Sequence, residues 1–235
     1  MKVALLLSGL ARKVTEGYDV TWKHVIDNYD TDVYLHTWKD EEWEKVPAVY
    51  TKNVKSLHIQ DPFKFTHFKK GISLPHKDTS RPLPQYDVMS CFRQFPMVYS
   101  WQKVYQNVYD TDIQYDFVIR SRYDMALFHR INLHQLDNRL VFHGTGGGYY
   151  DDNLCITGKQ NSDILFHNVF QKLVDYSRET GILNSAESSW TMILQRAGLI
   201  DKVVATPLLQ FRLLRDNWLW WGDENGNIVS DRVLT

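Results

Sequence analysis

The chain has 235 residues, of which 43% are hydrophobic and 23% are charged, with 27 Lys and Arg against 28 Asp and Glu. These values are typical of a folded globular protein and exclude a largely disordered chain. The nearly neutral balance argues against a broad electrostatic surface for nucleic acid, although it leaves room for a local basic pocket that binds phosphates. The length favours one domain over residues 1–235.

Cysteines and apolar segments narrow the class of protein further. Cys91 and Cys155 are the two cysteines; they are too few for a disulfide scaffold and lack the spacing of a zinc site, so we expect free thiols in a reducing compartment. The apolar run at 3–7 is too short for a signal peptide. No segment approaches the roughly 20 apolar residues that cross a bilayer. We therefore expect a cytoplasmic protein without a membrane span.

The first 36 residues predict a β-α-β unit. The uninterrupted apolar run at 3–7 stops at Ser8-Gly9, as a buried strand of a parallel or mixed sheet does. A helix is predicted over about 18–28 and a second strand over 32–36. A right-handed crossover between them places the ends of both strands on one rim of the sheet, where ligands bind in open α/β sheets.

The middle of the chain contains a long irregular stretch between a strand and a helix. We predict a third strand over 54–59, an irregular excursion with four prolines over 60–85, and a helix over 86–109. Pro96 should kink or divide that helix. The apolar residues at 115–120 then predict an interior strand.

The second half adds short strands and two helices. Helices are predicted over about 162–180, ended by Gly181, and about 186–197, ended by Gly198. Further strands that complete the sheet are predicted at 140–142, 153–157, 203–205 and 209–214. The pattern therefore predicts an α/β fold with a mixed, mostly parallel central sheet flanked by helices.

The clearest candidate site follows the strand at 115–120. Arg120 and Arg122 offer forked donors to phosphate oxygens, and Asp124 is a hard oxygen ligand for Mg²⁺ or Mn²⁺. A departing diphosphate needs this combination, because its developing negative charge must be neutralised. A salt bridge at the strand end explains the same residues equally well.

Two further loops are predicted at the same rim. Ser8 and Gly9 permit a tight turn close to a ligand, and Arg12 can meet a phosphate. His36 can hydrogen-bond to a nucleotide and Trp38 can stack on a base, although a packed Trp beside a satisfied His accounts for them as well. The chain has no Gly-X-Gly-X-X-Gly fingerprint and no Walker loop, which weakens the case for a dehydrogenase or a methyltransferase.

Three carboxylates are candidates for chemistry on a sugar. Asp151 and Asp152 end the glycine-rich segment 144–152, and Glu187 opens a predicted helix. A carboxylate can bind sugar hydroxyls or act as a base toward an acceptor hydroxyl. The alternatives are a flexible Gly-Asp connection for the first pair and a favourable helix dipole for Glu187.

The order of these segments resembles that of the GT-A-type glycosyltransferases of polysaccharide, capsule and lipopolysaccharide gene sets and of large DNA viruses. The segments are Ser-Gly-Leu-Ala-Arg at 8–12, Asp-Val-Tyr-Leu-His-Thr-Trp at 32–38, Tyr-Asp-Phe-Val-Ile-Arg-Ser-Arg-Tyr-Asp at 115–124, Asp-Asp-Asn-Leu-Cys-Ile-Thr-Gly at 151–158 and the helix led by Glu187. The likeness runs from about residue 2 to residue 197 and implies a GT-A-like, Rossmann-like fold.

The resemblance also implies roles for these residues. In such enzymes an Asp-X-Asp motif at the end of a central strand holds a divalent metal, and Arg122-Tyr123-Asp124 stands in that place. Asp124 thereby inherits the role of metal ligand, whereas Arg122 departs from the motif. The loops with Ser8, Gly9, Arg12, His36 and Trp38 would hold the nucleotide, while Asp151, Asp152 and Glu187 would face the donor sugar and the acceptor.

The expected function is therefore transfer of a hexose from a nucleoside-diphosphate sugar to a glycan hydroxyl, aided by Mn²⁺ or Mg²⁺. A nucleotide-binding half over about 1–125 and an acceptor half over about 126–235 are implied. The alternatives are a sugar nucleotidyltransferase and a non-catalytic glycan-binding module. The latter is suggested by eight Trp, thirteen Tyr and eleven Phe, whose rings pack on sugar faces.

Overall fold

The structure is a computed structural model, and it describes residues 1–65, 94–144, 152–181, 186–214, 218–222 and 228–232. In these ranges the strands are β1 (Lys2–Gly9), β2 (Asp30–Trp38), β3 (Val54–Gln60), β4 (Phe117–Ser121), β5 (Met125–Leu127), β6 (Val141–His143), β7 (Cys155–Thr157), β8 (Val203–Ala205), β9 (Phe211–Leu213), β10 (Trp218–Gly222) and β11 (Ile228–Arg232). The helices of the same ranges are α1 (Val14–Gly17), α2 (Lys23–Asn28), α3 (Lys45–Val49), α4 (Gln94–Tyr109), α5 (Lys159–Phe166), α6 (Val169–Thr180) and α7 (Ala186–Arg196).

Seven strands form the central sheet, in the order β3-β2-β1-β4-β7-β6-β8. The pairs β1·β2, β2·β3, β1·β4 and β6·β8 are parallel. Strand β7 runs antiparallel to both of its neighbours, β4 and β6. The predicted mixed, mostly parallel sheet flanked by helices is thus confirmed.

The first β-α-β unit has the predicted order with a longer helical part. Helical structure begins at Val14 and continues through a π-helical turn, Tyr18–Trp22, into α2. Strand β1 pairs in parallel with β2 so that Ser8 lies opposite His36. The two strand ends therefore lie on the same rim, as the sequence predicts.

Apolar side chains on alternate residues of β1 enter two different cores. Val3, Leu5 and Leu7 join a core that contains residues of α1, α2 and α3. Ala4 and Leu6 join a second core on the opposite face, which α4, α5, α6 and α7 cover. Both faces of β1 are buried, and this explains why its sequence is continuously apolar rather than alternating.

Two predictions for the second half of the chain were wrong in detail. The helix predicted over 162–180 is divided into α5 and α6, because Asn168 takes a left-handed conformation with φ 54°. Asn is among the residues that visit this conformation most readily, so the break requires no glycine. The segment predicted at 209–214 does not complete the central sheet; β9 pairs instead with β5 in a separate two-stranded sheet.

Other predictions were confirmed, were wrong or lie outside the described residues. Gly181 ends α6 in a left-handed conformation with φ 69°. Between Gln94 and Tyr109, α4 is not divided at Pro96 as predicted, and the residues just before Gln94 lie outside the described ranges. Most of the predicted excursion over 60–85, the predicted start of its helix and Cys91 lie outside the described residues. Cys155 is free and buried, and burial raises the pKa of its thiol to about 12.

Among the residues described, none of the helices has the length and apolar character needed to cross a lipid bilayer.

Gly17 provides a test of how tightly the first helix packs against the loop after β4. A Cβ atom built on Gly17 would lie 1.9 Å from the carbonyl oxygen of Tyr123. We expect Gly17→Ala to lower the free energy of unfolding by about 2 kcal/mol or more, although alanine favours a helix by about 1 kcal/mol over glycine. Urea denaturation measures the change.

Thr15→Ala is the matched control, because Thr15 is exposed in the same helix. This substitution should be neutral or slightly stabilising. A Gly17→Ala protein as stable as the wild type would show that the helix and the loop do not pack as closely as described.

Candidate active site

The carboxyl ends of three parallel strands meet at one edge of the sheet. Strand register places Ser8 opposite His36 and Leu7 opposite Ser121. Because β7 is antiparallel and pairs Cys155 with Arg120, the residues just before β7 reach the same edge. Four segments that are distant in sequence therefore converge there, which is the usual ligand-binding edge of such sheets.

An ion pair follows directly on β4. The Arg122 guanidinium donates from Nε to Oδ1 of Asp124 at 2.8 Å and from Nη2 to Oδ2 at 2.9 Å. The Asp124 side chain is 1% exposed, whereas the Arg122 side chain is 26% exposed. The strand-end salt bridge that the sequence allowed is therefore present, with its cation toward solvent.

Asn153 connects this ion pair to Asp152. Arg122 donates from Nη1 to Oδ1 of Asn153 at 3.3 Å, and Asn153 donates from Nδ2 to Oδ1 of Asp152 at 3.2 Å. Asp152 is largely buried. Three predicted site residues, Arg122, Asp124 and Asp152, are thus joined in one network. The sequence pattern did not single out Asn153, and its position beside two candidate carboxylates was the available signal.

The loop that carries this ion pair is fixed from several sides. Trp22 donates from Nε1 to the carbonyl oxygen of Arg122 at 3.0 Å. The backbone N–H of Leu214 donates to the carbonyl oxygen of Asp124 at 2.8 Å. The Tyr123 hydroxyl donates to the carbonyl oxygen of His36 at 3.0 Å. Tyr123 is fully buried, and burial raises the pKa of its hydroxyl well above the usual value. The loop is therefore anchored to β2 and to the first helical segment.

The turn after β1 has an open side. Gly9 has φ +119°, and a Cβ atom placed on it would meet no atom of the described residues within 4 Å. Arg12 is exposed, and the turn is held by Asp40, whose Oδ2 accepts the backbone N–H of Ala11 at 2.7 Å. Ser8 is buried, and its Oγ has no hydrogen-bond partner in the part of the chain that the structure describes. The described residues therefore leave room for a ligand beside Gly9.

His36 is buried and neutral at physiological pH. Its Nε2 lies 3.3 Å from Oε1 of Gln60, while Nδ1 has no hydrogen-bond partner within the described ranges. Burial is the main cause that lowers its pKa to about 4. In the tautomer that carries its proton on Nε2, the ring donates to Oε1 of Gln60 and Nδ1 presents a lone pair. His36 is thus buried and uncharged.

Trp38 packs inside the protein. It is 5% exposed, its ring is stacked on Tyr99 at a centroid distance of 5.9 Å, and it contacts Phe63 and Phe65 edge-on. This is the packed Trp that the sequence allowed as an alternative to base stacking.

Arg120 lies in the interior, and this differs from our expectation that it faces phosphate. Its guanidinium lies 4.1 Å from the ring centre of Trp101 and near the rings of Phe166 and Trp190. Nη1 donates to the carbonyl oxygen of Asp152. Side chains alternate along β4, and Arg120 shares with Val118 the face that α4 covers. Arg122 lies beyond Ser121, the last residue of the strand, where the backbone leaves the sheet. Arg120 therefore supports the Asp152 backbone from below.

The side chains of two predicted residues lie outside the described part of the structure. Asp151 lies outside the described residues. Glu187 occupies the first turn of α7, as predicted, but only its backbone is described. Their roles stay predictions.

The described side chains do not fit a metal ion held by Asp124. No group of three or more His, Cys, Asp or Glu side chains in the described ranges is arranged to hold one. Both oxygens of Asp124 accept hydrogen bonds from Arg122. A divalent cation at those oxygens would lie within a few ångströms of the guanidinium, and cations that close repel each other. The expected Mn²⁺ or Mg²⁺ stays a prediction.

The chain has a low structural similarity to solved glycosyltransferase structures. No protein-family model matches the chain, and no curated protein sequence matches it. Among solved structures, the glycosyltransferase GlyE of Streptococcus pneumoniae TIGR4 is similar at 10% identity with a TM-score of 0.42, and its apo form at 10% with 0.43. Each match covers 87% of this chain and 44% of the other, so the chain spans less than half the length of GlyE. Similarity of this degree does not establish a shared activity.

His36 should make stability depend on pH. Its pKa is 6.5 in the unfolded chain and about 4 in the folded protein, so between these values the unfolded chain binds a proton that the folded protein does not. Stability is therefore lost as pH falls, by about 2 kcal/mol between pH 7.5 and pH 5. Denaturation in urea at both pH values should show that His36→Gln removes this part of the pH dependence.

His134→Gln is the control, because His134 is exposed at the opposite edge of the sheet. Its pH dependence should match that of the wild type. Equal losses in the wild type and in His36→Gln would contradict the assignment to His36.

Proposed function

We propose that the chain is a glycosyltransferase that moves a hexose from a nucleoside-diphosphate sugar to a glycan hydroxyl. The observation that carries the proposal is the partly exposed Arg122, held between Asp124 and Asn153 at the carboxyl edge of the sheet. A rigid guanidinium in this position suits the oxygens of a diphosphate. The carboxylate of Asp152 in the same network supplies the polar group that a sugar requires.

Two polar atoms support a nucleotide beside β1 and β2. Ser8 Oγ and His36 Nδ1 belong to residues opposite each other in the sheet, and neither has a partner among the residues described. A buried polar atom left unpaired costs about 1–3 kcal/mol, so a ligand that pairs with it gains affinity. A base or ribose offers both donors and acceptors, and the described residues leave space at Gly9 for its approach.

Asp152 is our first candidate for the acceptor side. In the proposed step the acceptor oxygen bonds to the anomeric carbon, and the bond from that carbon to the diphosphate oxygen breaks. The nucleoside diphosphate leaves with the electron pair, and the acceptor proton passes to a carboxylate. Asn153 donates a hydrogen bond to the Asp152 side chain, and Arg120 donates one to the Asp152 carbonyl oxygen. These two bonds position Asp152 at the rim. Asp151 and Glu187 are the further candidates.

A nucleotide screen tests the donor site. We expect one nucleoside diphosphate, and its sugar conjugate, to raise the melting temperature by several degrees, since saturation at 100 times Kd stabilises by about 2.7 kcal/mol. Differential scanning fluorimetry with a panel of bases, followed by a turnover assay, gives the donor. Ser8→Ala should weaken the nucleotide shift, because it removes a hydroxyl expected to contact the base or the ribose.

Asp152→Asn separates binding from chemistry. It should keep the nucleotide shift but lower turnover about 100-fold or more, since an amide does not accept the proton. Asp201→Asn is the control, because Asp201 is exposed just before β8, at the opposite edge. Pyrophosphate release from a nucleoside triphosphate and a sugar phosphate would identify a nucleotidyltransferase instead. Glycan binding without any nucleotide shift would identify a binding module.

A further inference from the structure

We infer that Arg122, rather than a metal ion, supplies the positive charge that stabilises the departing diphosphate, and that Asp124 serves to position Arg122. This inference rests on the proposed glycosyltransferase function. It assigns to Asp124 a task that differs from the metal ligation implied by the order of sequence segments.

The hydrogen bonds of the ion pair orient the guanidinium. Two parallel bonds to Asp124, at 2.8 and 2.9 Å, define its plane, and the bond from Nη1 to Asn153 at 3.3 Å prevents rotation within that plane. A lysine ammonium has no planar fork and cannot reproduce all three bonds. The arrangement is therefore specific to arginine.

Arg122 is more exposed to solvent than its partner Asp124. Asp124 is 1% exposed and Arg122 is 26% exposed, so only the cation can meet a ligand at the rim. A carboxylate that held a metal ion against the substrate would need its oxygens to face the substrate. Here they point to the guanidinium, and Asp124 acts through Arg122.

The backbone around the ion pair is fixed before any ligand arrives. The carbonyl oxygens of Arg122 and Asp124 accept hydrogen bonds from Trp22 and Leu214, and Tyr123 is anchored to β2. A charge held in advance near the leaving group stabilises a transition state without the cost of reorganisation. The cationic group is thus built into the loop.

Metal dependence and guanidinium rescue test the inference. The wild type should keep its turnover within about twofold in EDTA. Arg122→Ala should lower kcat about 100-fold or more, as loss of one preorganised transition-state donor does. Added guanidinium chloride at non-denaturing concentration should raise kcat of Arg122→Ala at least tenfold. Sodium chloride at equal ionic strength should not raise it. A merely structural role would not produce rescue that is specific to guanidinium.

Arg139→Ala is the matched control. Arg139 forms the same fork with Asp137, at 2.9 and 2.7 Å, but it is 84% exposed and lies away from the rim. Its removal should leave kcat unchanged and show no guanidinium effect.

Asp124→Asn keeps a hydrogen-bond acceptor beside Arg122. It should lower kcat about tenfold, and the turnover of the variant should remain resistant to EDTA.

Arg122→Asp provides an independent arm. It puts carboxylates at positions 122 and 124, which are the oxygen ligands that divalent ions prefer, and its residual turnover should become dependent on Mn²⁺. Should Arg122→Ala not fold, Arg122→Lys replaces it, with a loss of at least tenfold in kcat.

The outcomes distinguish this inference from the proposed function. Loss of wild-type turnover in EDTA and its recovery with Mn²⁺ would overturn the role of Arg122 and leave the glycosyltransferase in place. Wild-type turnover in EDTA together with undiminished kcat in both Arg122→Ala and Arg122→Lys would overturn it as well. Absence of nucleotide binding and of sugar transfer under every condition would overturn both.

Discussion

Parallel pairing of β1 with both β2 and β4 is the constraint on which the candidate site depends. This pairing aligns Ser8 with His36 and Leu7 with Ser121, so the chain leaves three adjacent strands at one edge. In a parallel sheet each strand must be followed by a crossover, and the loops between them collect at that edge. The antiparallel β7 then adds residues from its amino end, including Asp152. Without this register the polar groups of the site, which are distant in sequence, would not meet in space.

Two arginines, two residues apart, meet different physical demands at the end of β4. Arg120 is inside the core, where the rings of Trp101, Phe166 and Trp190 surround its guanidinium and the Asp152 carbonyl accepts from it. Cation–π contacts offset part of the cost of removing such a charge from water. Arg122 remains partly in water and is held by Asp124. The first arginine thus supports the rim, and the second presents its charge there.

Much of the fold was predictable because hydrophobic periodicity follows secondary structure. The apolar run of β1, the following helix and the strand at β4 were placed within a few residues. The errors have local physical causes. Asn168 breaks a helix without glycine or proline, and β9 resembles any short apolar strand although it pairs with β5. Strand partners depend on contacts distant in sequence, so a single segment does not reveal its own sheet.

By itself, the sequence determined the class of fold and the candidate residues Arg122, Asp124 and Asp152. Strand and helix periods are local properties, and charged residues after an apolar strand must lie at its end. Only the tertiary structure decided which of these groups meet. It joined Arg122 to Asp124 and, through Asn153, to Asp152, and it placed Arg120 and Trp38 in the interior. The physical reason is that the direction and burial of a side chain depend on packing between segments far apart in the chain, which no local pattern encodes.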